Sequence, residues 1–118
     1  MTEKEFIKAS LNCEINSDLI KEIENYYGVK LTDDVKCYFS FIPDENYCGD
    51  WRVLSSKEIL KPEVWSLQDF ASNKVIPLID IGDMEYISYI YTESKWAIVN
   101  DGDGSVFRER NDLADYLK

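Results

Sequence analysis

The N-terminal third of the chain carries apolar side chains at the spacing of amphipathic helices. Over residues 17–27, apolar positions recur three and four residues apart, and charged positions occupy the opposite face. Asn16 or Ser17 would cap the start of this helix, and Gly28 would end it. A second helix is predicted to begin at Thr32. Its expected apolar face consists of Val35, Tyr38, Phe39 and Ile42.

The segments around these two helices are less distinctive. Residues 3–11 fit a short helix, because Thr2 and Glu5 have the spacing of a capping box, but they fit an edge strand equally well. Pro43 ends the second helical pattern, and residues 44–50 are rich in polar residues typical of a loop. The sequence therefore predicts two clear N-terminal helices and one ambiguous element before them.

The pattern changes to that of strands in the second half. Trp51–Leu54 alternates like a strand, and the capping-box pair Ser55 and Glu58 starts a short helix after it. Residues 63–71 are predicted to add one or two helical turns. Later strands are predicted where β-branched and aromatic residues concentrate. They cover residues 75–81, 86–91, 95–99 and 105–108.

This order of elements predicts an α+β fold in one domain spanning residues 1–118. Consecutive strands joined by short turns favour a single antiparallel sheet of four to six strands. Helices 17–27 and 33–41 are expected to pack together against that sheet. Asn111 would cap a final helix. The side chains expected to face the core from it are Leu113, Tyr116 and Leu117.

The charge of the chain points to the chemistry of a partner. Acidic residues outnumber basic ones by 23 to 13, which gives a formal net charge of −10, and histidine is absent. An acidic surface repels phosphate, so direct binding to nucleic acid or to an anionic membrane is disfavoured. The same surface favours a basic protein and speeds the encounter with it. Simple solubility is the alternative explanation for this charge.

The residues available for catalysis argue against an enzyme. Without histidine, the Ser-His and Cys-His nucleophile pairs cannot form, and the chain has no glycine-rich phosphate loop. Asp80, Asp83 and Glu85 lie close together after a strand. Paired carboxylates can perform acid–base chemistry, but the alternative is a solvated acidic turn. We therefore predict no catalytic residues and no organic cofactor.

The candidate metal ligands are also unconvincing. Cys13, Cys37 and Cys48 are odd in number and lack the short spacing of a zinc site, which favours free thiols in a reducing compartment. Residues 101–112 place oxygen-bearing side chains at several positions of a calcium loop. However, Val106 stands where such a loop requires glycine. This segment is therefore predicted to be a hairpin turn, and no metal site is predicted.

The sequence also bears on the cellular compartment of the protein. Three of its first five residues are charged, no apolar signal region follows them, and no run of 18 apolar residues occurs. We therefore expect a cytoplasmic protein.

Several short motifs resemble the SUKH superfamily. Residues 23–39 show a helix with a glutamate near its end, then a glycine and a second amphipathic helix. Residues 51–59 are similar to the family's next block, a strand that runs into a Leu-Ser-x-x-Glu-Ile helix start. Residues 76–83 resemble its Ile-Pro strand with an acidic-glycine turn, and residues 86–117 match its closing elements. The resemblance covers residues 17–118. Thr32 stands where the family usually has proline, and residues 43–50 lack its usual Asn-Gly pair.

This resemblance implies a binding protein. The superfamily includes bacterial immunity proteins that neutralise toxins, many of them nucleases, and it has no established catalytic residues. The sequence thus predicts an immunity protein that covers the basic cleft of a toxin. A scaffold or regulatory module of the same fold, and a histidine-free enzyme, are the alternatives. The predicted partner contacts are acidic loop residues with neighbouring aromatic anchors. They are Asp44, Glu45, Tyr47, Asp50, Trp51, Asp80, Asp83, Glu85 and Tyr86.

Overall fold

A computed structural model of the chain describes residues 1–60, 70 and 73–117. Its helices are α1 (Glu3–Leu11), α2 (Ser17–Tyr27), α3 (Asp33–Ser40) and α4 (Ser56–Leu60), with a 3₁₀-helix at Leu113–Leu117. Its strands are β1 (Tyr47–Cys48), β2 (Trp51–Val53), β3 (Val75–Gly82), β4 (Glu85–Ile90), β5 (Lys95–Asn100) and β6 (Val106–Arg110).

All six strands form one sheet in the order β1-β2-β3-β4-β5-β6, and every neighbouring pair is antiparallel. This arrangement confirms the predicted α+β fold with a single antiparallel sheet. Two extra residues, Leu78 and Ile81, interrupt the pairing of β3 with β4. A bulge on β6 sets Arg108 and Glu109 opposite a single residue of β5, and Arg108 has a φ of 53°.

Local hydrogen bonds explain where the first two helices begin and end. The Thr2 hydroxyl accepts a hydrogen bond from the Glu5 amide at 3.2 Å, and the Glu5 carboxylate accepts one from the Thr2 amide at 2.9 Å. This capping box decides residues 3–11 in favour of a helix. Asn16 caps α2 through the Leu19 amide, and Gly28 ends it with a φ of 68°.

Aromatic rings join the helices to one face of the sheet. The Phe6 ring of α1 meets the Trp51 ring of β2 edge-on, with 6.4 Å between their centroids. From α3, Tyr38 and Phe39 pack on Trp96 of β5, with centroid distances of 5.8 and 6.3 Å. Because all five side chains are buried, these contacts hold α1 and α3 against the sheet. The predicted packing against the sheet is thus confirmed for α3, and α2 is in contact with α3, as predicted.

Three details of the sequence-based prediction need correction. Ile42 is 70% exposed, because α3 ends at Ser40 and the following backbone is extended, as expected before Pro43. The stretch 44–50 is not wholly a loop, since it contains β1. The C-terminal helix is a single 3₁₀ segment, too short to repay the cost of starting an α-helix.

The second helix was predicted to begin at Thr32, and Thr32 is the N-cap residue of α3. Its hydroxyl makes no capping hydrogen bond to the helix and donates instead to the Asp34 carboxylate at 2.6 Å. The helical turns predicted for residues 63–71 lie outside the described residues except for Phe70. Within the part of the chain that the structure describes, no helix is long and apolar enough to cross a bilayer.

Candidate partner-binding surface

The turns of three hairpins lie at one end of the sheet. Because neighbouring strands are antiparallel, the β1–β2, β3–β4 and β5–β6 connections leave the sheet at the same end. The second and third turns are joined directly by a 2.8 Å hydrogen bond from the Asp101 amide to the Met84 carbonyl. We call the carboxylates at these turns that are not buried the acidic rim, which leaves out the buried Asp101. It consists of Asp50, Asp83, Glu85 and Asp103.

Most of the predicted contact residues lie at the surface. Asp50 and Asp83 are exposed within the rim, and Glu85 and Tyr86 are half-buried beside it. Asp44 and Glu45 are exposed before β1, where they line a shallow concavity with Met1. Tyr47 follows them and is 60% exposed. The structure thus divides the predicted contacts into the rim and an adjoining loop, which we call the β1 loop (residues 42–47).

Two predicted contact residues do not have the exposure or the free charge that the prediction assumed. Trp51 is only 6% exposed because its indole is part of the core against Phe6, so it offers little surface to a partner. One oxygen of Asp80 accepts hydrogen bonds from Arg52 Nε at 3.1 Å and Nη2 at 2.9 Å, and the other accepts from the Gly82 amide. The negative charge of Asp80 is therefore paired with Arg52 within the fold.

Arg52 also holds Glu58, which was not among the predicted residues. Its two terminal nitrogens each donate to one Glu58 oxygen at 3.0 Å, a bidentate pair. Burial acts to raise the pKa of Glu58, but the hydrogen bonds and charge of Arg52, together with hydrogen bonds from Ser55, outweigh it and lower that pKa. This Arg52–Glu58–Asp80 cluster fastens the start of α4 to β2 and β3, beside the rim.

A second unpredicted contact fixes the first turn of the rim. The Glu3 carboxylate of α1 accepts a 3.0 Å hydrogen bond from the Asp50 amide, which lowers the pKa of Glu3. Gly49 has a φ of 61°, and a Cβ at this position would collide with the Glu3 carboxylate. The Met1 carbonyl accepts a hydrogen bond from the Gly49 amide at 3.0 Å. The N-terminal helix therefore determines where Asp50 sits.

Met84 is a further residue that the sequence-based prediction left out. Asp83 and Met84 form the two-residue turn between β3 and β4, with φ values of 54° and 62°. Such turns favour glycine at the second position, and a residue with a side chain costs about 1 kcal/mol or more there. Met84 is nevertheless 43% exposed. The feature of the sequence that could have identified Met84 is its apolar side chain at the tip of a predicted hairpin.

The described carboxylates do not form a site for metal chemistry. No group of three or more Cys, Asp or Glu side chains suited to a metal ion occurs among them. In the β5–β6 turn, the Asn100 side-chain oxygen accepts from the amides of Gly102 and Asp103, and the Asp103 carboxylate accepts from the Ser105 amide. These contacts close a hairpin, as the sequence predicted for this segment.

The three cysteines are free thiols, as expected from the sequence. Cys13 and Cys37 are half-buried, and Cys48 is buried. The Cys13 thiol donates to the Cys37 carbonyl over 3.7 Å. Burial raises the pKa of the Cys13 and Cys48 thiols, which keeps them protonated and slow to react at neutral pH.

Comparison with protein-family models finds no match, and comparisons with curated proteins and with solved structures find none either. The resemblance to the SUKH superfamily therefore stays a prediction that rests on the sequence motifs quoted above.

Proposed function

We propose that this chain is an immunity protein that binds a bacterial toxin, a nuclease, and neutralises it by covering its basic active-site cleft. The observation that carries the proposal is the collection of exposed carboxylates at one end of the sheet, where three hairpin turns meet. The resemblance to the SUKH superfamily supplies the class of partner. In this proposal the acidic rim and the β1 loop face the toxin.

Charge complementarity supports this orientation. A nuclease presents a positive surface to phosphate, and an acidic surface of comparable size competes for it and excludes the substrate. The rim carboxylates Asp50, Asp83 and Asp103 are exposed, so their field reaches the solvent. The hydroxyl and ring of Tyr47 provide an exposed aromatic group at the side of this surface.

The test uses the product of the gene immediately upstream as the binding partner. Binding of the purified proteins and rescue of cells that co-express both would support the proposal. Association is then measured over a range of salt concentrations for two groups of variants. The first group combines Asp44→Asn, Glu45→Gln and Asp50→Asn, and the second combines Asp83→Asn and Glu85→Gln. Asp80 is left unchanged because its partner is Arg52.

The matched control is Asp18→Asn with Glu22→Gln, two exposed carboxylates of α2 that lie outside the rim and the β1 loop. Each rim or loop group should slow association about tenfold at low salt and flatten its salt dependence, while the control should change little. Thermal unfolding should be unaffected in all three. Wild-type association rates for both groups across ionic strength would place the interface elsewhere. A signalling protein as the only binding partner would favour the regulatory-module alternative.

A further inference from the structure

Met84 occupies an unusual place in the fold. It stands at the tip of the β3–β4 turn with a left-handed φ of 62°, a conformation that glycine or asparagine adopts more readily. Its side chain is 43% exposed even though it is apolar. Rim carboxylates lie on either side of it in the chain, at Asp83 and Glu85, and Asp103 lies in the next turn.

Packing within the fold covers Met84 only in part. The Met84 sulfur and methyl carbon lie near Gly102, 3.7 and 3.6 Å from where a Cβ on that glycine would be. The residue nevertheless keeps 43% of its surface open to solvent. A residue that conflicts with its local backbone preference, and that also stays exposed, is typical of positions kept for binding.

We propose that Met84 is the apolar anchor of the acidic rim and that the basic partner receives it in an apolar socket bordered by lysine or arginine. This inference rests on the proposed function and names the chemistry of the partner surface. Exposed charges chiefly increase the rate of association, whereas a desolvated apolar group surrounded by polar ones slows dissociation. A methionine suits this role because its unbranched side chain adapts to the shape of a socket.

The experiment measures binding kinetics of wild-type and variant proteins with the upstream gene product. Met84→Asn removes the apolar group and tolerates the left-handed backbone, and Met84→Gly does the same without a side chain. Met84→Leu keeps an apolar group of similar size. The matched control is Leu11→Asn, because Leu11 is 47% exposed at the end of α1, outside the rim.

We expect Met84→Asn and Met84→Gly to weaken binding at least tenfold through faster dissociation, with association nearly unchanged because no charge is altered. Their melting temperatures should equal or exceed that of the wild type. Met84→Leu should bind within threefold of the wild type, and Leu11→Asn should bind normally.

The outcomes separate this inference from the function on which it rests. If the wild type binds and both Met84→Asn and Met84→Gly bind within twofold of it, the anchor is wrong while the proposed function stands. Lower melting temperatures with unchanged dissociation would assign Met84 to turn packing and also overturn the anchor. If the wild type does not bind the upstream gene product, the proposed function fails and the anchor fails with it.

Discussion

Replacing Arg52 tests how strongly its ion-pair cluster stabilises the fold. Arg52→Met keeps the aliphatic part of the side chain and removes the guanidinium, so it isolates the loss of charge and hydrogen bonds. Four hydrogen bonds of 2.9–3.1 Å to Glu58 and Asp80 are lost. The two carboxylates then face each other without a cation.

The size of the effect follows from burial. The side chains of Arg52, Glu58 and Asp80 are 25%, 29% and 23% exposed. Their burial is therefore intermediate between that of two kinds of ion pair. A surface pair is worth up to about 1 kcal/mol, and the disruption of a buried pair costs about 3–5 kcal/mol. We therefore expect Arg52→Met to lower the free energy of unfolding by about 2 kcal/mol at pH 7. Lys57→Ala, which removes an exposed cation of α4 next to Glu58 in the chain, is the control and should change the free energy of unfolding by less than about 0.5 kcal/mol.

The pH dependence gives a second and independent readout. Because the pKa of Glu58 is lowered in the folded state, its contribution is present above the unfolded value near 4.5 and is lost as pH falls through the folded value. The difference between wild type and Arg52→Met should thus be largest near neutral pH and shrink below pH 4.5.

Urea unfolding followed by tryptophan fluorescence measures both quantities, since Trp51 and Trp96 lie in the core. A loss below about 0.5 kcal/mol at pH 7 would mean that the cluster contributes no more than a surface pair. If the loss of unfolding free energy in Arg52→Met stays constant between pH 7 and pH 3.5, the ionisation of the carboxylates does not depend on Arg52.

Two further predictions concern Tyr38 and Gly28, the residue that ends α2. Burial, followed by the charges of Asp34 and Asp112, raises the pKa of Tyr38 to about 12. The contribution of Tyr38 to stability should therefore be complete below pH 10 and be lost as pH rises toward 12. In an absorbance titration, Tyr38→Phe should remove one tyrosine from those that ionise at high pH. An unchanged absorbance change at high pH would contradict this. Gly28→Ala should lower the free energy of unfolding by about 1 kcal/mol, because its φ is 68° and no atom lies within 4 Å of the new methyl group, so only the backbone is strained. Equal urea midpoints for Gly28→Ala and the wild type would refute that reasoning.

Much of the fold followed from local rules in the sequence. The caps at Thr2, Asn16 and Gly28 and the β-branched and aromatic residues of β3 to β5 are local features of the sequence, so these elements could be predicted directly. Ile42 was assigned wrongly because helical spacing continues in the sequence beyond the point where the backbone stops being helical. The two-residue strand β1 left no readable alternation.

The candidate surface was less predictable because it depends on contacts between distant residues. Nothing near Asp80 in the sequence indicates that Arg52, 28 positions away, would bind its carboxylate. The role of Glu3 in holding Asp50 spans 47 positions. Acidic loop residues could therefore be found from composition, whereas the division between free and internally paired carboxylates required the tertiary structure.

The bulge in β6 has a consequence for the behaviour of the chain at high concentration. β6 lies at one edge of the sheet, and all five of its residues are exposed, including Val106 and Phe107. A regular edge strand with exposed apolar residues can pair with strands of other molecules and lead to aggregation. The left-handed turn at Arg108 breaks the regular row of amides and carbonyls, and the charges of Arg108 and Arg110 oppose a second copy pairing there. We therefore expect this irregularity to disfavour strand pairing between copies of the chain at high concentration.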